Sequence, residues 1–76
     1  MEQYELDLIT KYGDQDPQIK ELWEEHLSLE RELERFANKP FLSPQEESQM
    51  KEIKKRKLAG KSKLQDLLEE YRKREA

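Results

Sequence analysis

The sequence predicts an all-α protein: a long antiparallel helix–turn–helix hairpin with a short N-terminal helix. Three observations carry that expectation. Apolar residues recur at alternating steps of three and four, the spacing of one helix face. Two prolines, Pro17 and Pro44, each follow a residue suited to cap a helix, Asp16 and Ser43. The stretch between the arms is too short to place them anywhere but side by side.

The first arm is expected at about residues 17–37. Ile19, Leu22, His26, Leu29, Leu33 and Phe36 fall on a seven-residue repeat and form an a/d seam. The second arm is expected at about residues 44–74. Its start is marked by Ser43 and Glu46, three residues apart, the signature of a capping box. Met50, Ile53, Lys57, Gly60, Leu64, Leu67 and Tyr71 continue the same rhythm, with Lys57 and Gly60 as its non-apolar members. Between the arms, Asn38-Lys39-Pro40-Phe41-Leu42 reads as a turn, because Pro40 disfavours a helical Lys39. Phe41 or Leu42 is expected to fold back onto Phe36, since an apolar pair is out of place in a solvated turn.

The turn sets the register. Facing residues should have numbers summing to about 81, give or take one helical turn. Leu33 then meets Met50, Leu29 meets Ile53, His26 falls level with Lys57, and Ile19 meets Leu64. Leu22 and Trp23 fall level with Gly60. A large indole opposite a glycine suggests a packed layer; the alternative is a glycine tolerated in a long helix at a cost of about 1 kcal/mol.

A further short helix is expected at about residues 3–12. Tyr4, Leu8 and Tyr12 share one face, and Gly13 is a natural stop. This helix could cover the flank of the hairpin or extend the molecule at its open end. Length supports no more than one domain, residues 1–76.

Charged residues make up 43% of the chain and apolar residues 33%, so helical periodicity rather than composition argues for a fold. Residues 1–38 carry eleven acids and four bases, and residues 39–76 carry seven acids and eleven bases. An acidic arm beside a basic arm favours their pairing over two copies of one arm. There is no cysteine, so no disulfide framework and no thiol nucleophile. No apolar run approaches the roughly 20 residues of a membrane span. Residues 1–5 lack the basic and apolar regions of a signal peptide. A cytoplasmic protein that does not engage membranes is the expectation.

Asp16-Pro17 followed by Ile19, Leu22, Glu25-His26, Leu29-Glu30 and Leu33 is a spacing found in a known family. So is the run Ile53-Lys54-Lys55-Arg56-Lys57-Leu58-Ala59-Gly60-Lys61-Ser62-Lys63-Leu64, and Leu8-Ile9 supplies an apolar pair near the N-terminus. In these features the chain resembles the YdcH-like proteins, small bacterial proteins of unknown function, over nearly its whole length. It departs at Gly60, where a leucine is usual, and at Ser62, where an aspartate is usual. The resemblance implies a helical hairpin in a bacterial setting and implies no activity.

No catalytic, cofactor or metal site is expected. His26 is the single histidine, with Glu30 one turn on, whereas zinc sites need three or four convergent ligands. A partly buried imidazole reaching Glu30 or water is the favoured reading, with a pH-sensitive role as the alternative. Glu24, Glu25, Glu30, Glu32 and Glu34 read as a solvated face, because a two-arm hairpin offers no cleft to shift their pKa. Ser28, Ser43, Ser48 and Ser62 have no activating base and no oxyanion-hole motif.

Two surfaces remain as candidates. Trp23 and Leu27 lie off the seam on one flank, with Leu58 and Leu68 off the seam of the second arm. They are either core under the N-terminal helix or an exposed patch, centred on Trp23, Leu27 and Leu58, for an unidentified protein partner or weak self-association. The other is the basic stretch Lys51, Lys54, Lys55, Arg56, Lys57, Lys61 and Lys63. It could contact phosphates, but the chain carries a net charge of −3 and a nucleic-acid domain usually has the opposite balance. A non-catalytic protein–protein interaction module is therefore the leading expectation, and a nucleic-acid accessory protein the alternative.

Overall fold

A computed structural model describes residues 1–75. Among them are three helices and no strand: α1 (Gln3–Tyr12), α2 (Pro17–Ala37) and α3 (Pro44–Glu75). The all-α hairpin is as the sequence predicts. Both arms start at the anticipated prolines, and the second runs one residue further than expected.

The starts are fixed by side chains that accept otherwise unpaired amides. The Gln18 amide donates to Asp16 Oδ1 at 3.0 Å. At α3 the Glu46 amide donates to Ser43 Oγ at 3.2 Å, and the Ser43 amide to Glu46 Oε1 at 3.3 Å, which completes the reciprocal box. Lys39 closes over the same carboxylate. Its ammonium, with the Ser43 amide, holds the Glu46 carboxyl below the usual carboxylate range. At α1 the Glu2 amide donates to Glu5 Oε1 at 3.0 Å, which accounts for a buried glutamate.

α1 ends at Gly13, but not through a left-handed residue. Gly13 keeps right-handed angles, φ −57° and ψ −36°, and its amide donates to Ile9 O at 2.8 Å. What the turn needs is space: a Cβ on Gly13 would stand 2.5 Å from Ile9 O. The chain then reverses through Asp14 and Gln15 into α2.

The register of the hairpin follows the turn. Ile19 and Leu64 are both fully buried in one cluster. Arg56 lies 3.9 Å from Glu25, and Lys57 Nζ lies 3.3 Å from Glu30. Leu33 and Met50 line one groove.

α1 packs against both arms at the open end. Leu8 and Ile9 join Ile19, Leu64 and Leu68 in the buried cluster, and Met1, Leu6, Tyr12, Trp23 and Tyr71 pack around it. Docking runs through Leu8 and Ile9; Tyr4 stays outside, under the Arg72 guanidinium 4.7 Å from its ring. The open end is clasped by polar contacts. The Tyr71 hydroxyl donates to Asp16 Oδ2 at 2.7 Å, and this bond holds Asp16 below the usual carboxylate range. Tyr12 stacks on Tyr71 with centroids 4.3 Å apart, and both Lys11 and the Tyr12 hydroxyl donate to Glu75. The result is a rod of 48 × 20 × 17 Å with three helices at one end and two at the other.

One expectation needs correction, and two that left alternatives open are decided. Trp23 does not fill the space at Gly60: a Cβ built there meets nothing within 4 Å. Register along the axis placed the two residues level, but level is not side. Gly60 lies one heptad before Leu67, which with Leu22 lines the face away from α1. Trp23 is one residue on from Leu22, turned by about 100°, and stacks on His26 with centroids 5.6 Å apart. Of the apolar pair in the turn, Leu42 is the one that folds back, half-buried beside Phe36 and Met50, while Phe41 is 88% exposed. For Leu68, off the seam, the reading as core under the N-terminal helix holds: it is 1% exposed in the cluster with Leu8 and Ile9 of α1.

Candidate interaction groove

Two antiparallel helices leave a groove along each side. On one side α1 occupies the half nearest the open end, and the N-terminus of the chain reaches the middle of the rod. There Met1 shares a depression with His26, Glu30, Leu33, Lys57 and Leu58. A second depression, lined by Leu33, Phe36, Phe41, Leu42, Met50 and Lys54, runs on to the turn. Leu33 and Lys54 belong to both, so the two are one continuous groove in line with α1. No element among the described residues covers this second half. Leu58 is 68% exposed on its rim, and Leu33 and Met50 are half-buried in its floor.

The opposite side carries apolar residues set among charged ones. Leu22 and Leu67 show there between Glu21, Glu25, Lys63 and Glu70. Phe36 and Ile53 show between Glu32, Arg35, Gln49 and Glu52.

His26 marks the middle of the rod and is 7% exposed. Its Nε2 lies 3.2 Å from Glu30 Oε1, and Lys57 Nζ approaches the same oxygen at 3.3 Å. Nδ1, on the other edge of the ring, is buried with no hydrogen-bond partner. Burial pushes the imidazole pKa down; Glu30 opposes this, and Lys57 and Lys61 add to it. A third ligand is missing from this arrangement: among the described residues no group of three or more His, Cys, Asp or Glu side chains is gathered as a metal site would require.

The candidate patch from the sequence is divided by α1. Trp23 packs against the cluster that α1 completes, Leu27 is half-buried, and Leu58 lies beyond the start of α1 on the open groove. Leu33, Met50 and Leu42, assigned to the seam or the turn, prove to be its companions. Their half-exposure was hidden because a seam position counts as core only when a third element closes over it.

The basic stretch is spread around α3. Lys54, Lys57 and Lys61 line the open groove, and Lys63 lies on the opposite side. Arg56 faces Glu25 and Lys57 faces Glu30 across the hairpin. Lys51 and Lys55 are exposed. Among the described residues no helix is long and apolar enough to cross a membrane.

Comparison with known protein families, with characterised proteins and with solved structures returns no match.

Proposed function

We propose that the chain is a non-catalytic interaction module whose docking surface is the open half of the α1 groove. The observation that carries this reading is the unfinished third layer. α1 closes the groove over Leu64 and Leu68, and Leu33 and Met50 are left half-buried and Leu58 exposed in its other half. A helix pair that leaves an apolar groove open gains stability from whatever segment fills it. The bacterial, cytoplasmic setting and membership of the YdcH-like family are part of the same proposal. They rest on the Asp16-Pro17 to Leu33 spacing and on the lysine-rich second arm.

A nucleic-acid role has weaker support. The basic residues face several directions, and Arg56 and Lys57 lie close to carboxylates of α2.

The test is site-specific photocrosslinking in the source cell. A crosslinking residue at Leu58 or Met50 should give discrete protein adducts, and one at Glu21 on the opposite face should not. A salt titration with duplex DNA and RNA runs beside it. Micromolar binding that falls steeply with salt, with no protein adduct at Leu58 or Met50, would replace this reading with the nucleic-acid one.

A further inference from the structure

We infer that the occupant of the open groove is an acidic amphipathic helix of a different protein, about three turns long. This rests on the interaction reading above and specifies the partner. The length follows from the exposed stretch between the level of His26 and that of Ala37, about 16 Å at 1.5 Å per residue.

Charge decides the chemistry. Lys54, Lys57 and Lys61 are spaced at three and four residues, so they form one basic stripe along the α3 rim. Lys57 is answered by Glu30, which also lies beside His26 Nε2. Lys54 and Lys61 enter no ion pair among the described residues. An incoming helix with carboxylates on the α3 side meets two unanswered ammonium groups, while its apolar face covers Leu33 and Met50.

The settled half of the groove supplies a precedent. α1 carries Glu5 and Asp7 against one base, Lys11, follows Glu2, and buries Leu8 and Ile9. The groove thus already holds an amphipathic helix; its Glu5 and Asp7 are engaged within α1 and its ion pair to α3 is Lys11 with Glu75, whereas the rim of the open half carries Lys54, Lys57 and Lys61. A second copy set with α3 over α3 would bring the same lysine stripes together.

Two synthetic peptides of about 14 residues, stapled to hold them helical, test the assignment. Both carry leucines at steps of three and four; one bears glutamates on its flanks and the other lysines. Each is titrated into the isotopically labelled full chain while backbone amide shifts are followed. The glutamate peptide should shift the amides of Leu33, Met50, Lys54 and Leu58. Its affinity should fall about tenfold or more in the K54E/K61E variant and with added salt. Lys54 is exposed and Lys61 half-buried, so circular dichroism checks that the variant keeps its helix content. Equal binding of the two peptides in this groove overturns the acidic occupant and leaves the interaction reading standing. Shifts at these amides on concentrating the chain alone, with dimers by sedimentation, assign the groove to a second copy instead. No shift with either peptide up to millimolar concentration overturns both the assignment and the reading beneath it.

Discussion

At the open end three helices enclose Ile19, Leu64 and Leu68; at the turn end the same two arms leave Leu33, Met50 and Ile53 half-exposed. The arms are of similar composition along their length, so the difference comes from α1. One ten-residue helix turns an off-seam leucine, Leu68, into fully buried core. Leu58, without such cover, stays in solvent. Burial in a small helical rod is therefore set by the number of neighbours at each level as much as by the pattern along each helix.

The largest expected effect separates the two ends directly. Leu64→Ala should cost about 2–5 kcal/mol, because it empties a closed site. Met50→Ala should cost about 1 kcal/mol, since its side chain is already half in water. Denaturant titration of the two variants checks this; equal losses would show that the turn end is as well packed as the open end.

The caps give a smaller contrast. Ser43→Ala should cost about 0.5–2 kcal/mol through loss of the α3 box. Asp16→Ala removes a cap and also the acceptor of the Tyr71 hydroxyl, so it should cost more, by about 1 kcal/mol. Amide exchange should rise near Ser43 in the first variant, and in both α1 and the end of α3 in the second.

These caps are also where the sequence was most legible. Proline position, capping residue and turn length together fixed both arms and their register within about a turn. The side on which each residue lies was harder to read. Trp23 was expected against Gly60, yet the indole lies against the cluster that α1 completes, while Gly60 follows Leu67 to the other side. Nothing in the heptad of a two-helix hairpin encodes a third helix. The seating of α1 depends on the short reversal at Gly13 to Gln15, whose geometry rests on contacts with Ile9 O and Tyr12 O that no spacing reveals. The open groove was visible only as Leu58, because Leu33 and Met50 also satisfy the seam and Leu42 belongs to the turn.

The two glycines sharpen the comparison with opposite signs. Gly60→Ala should stabilise by about 0.5–1 kcal/mol, since a methyl there meets open space and the helix loses a flexible point. Gly13→Ala should destabilise by about 1 kcal/mol or more, because its methyl would press on Ile9 O. Thermal melts of the pair read both signs.

The smallest expected effect is the pH dependence at the junction of the two halves. His26 titrates lower in the folded chain than the ordinary 6.5. Just below that value the unfolded chain binds the proton and the folded chain does not. Stability should therefore fall as the pH drops through the window between the folded value and 6.5, and be unaffected by this group above it. His26→Gln should flatten that part of the profile. A profile that rises on acidification would mean that Glu30 outweighs burial.

The clasp at the open end joins Tyr12 to Tyr71 and Asp16 to Tyr71, residues 59 and 55 positions apart. Contacts at the turn, such as Lys39 with Glu46, span seven. Closing a short loop costs little entropy and closing a long one costs more. Assembly therefore has its cheapest first step at the loosely packed turn, and zips toward the end where the buried leucines wait. The three-helix layer is then completed late, so its side chains act mainly as a brake on unfolding, while the turn governs how fast the rod forms.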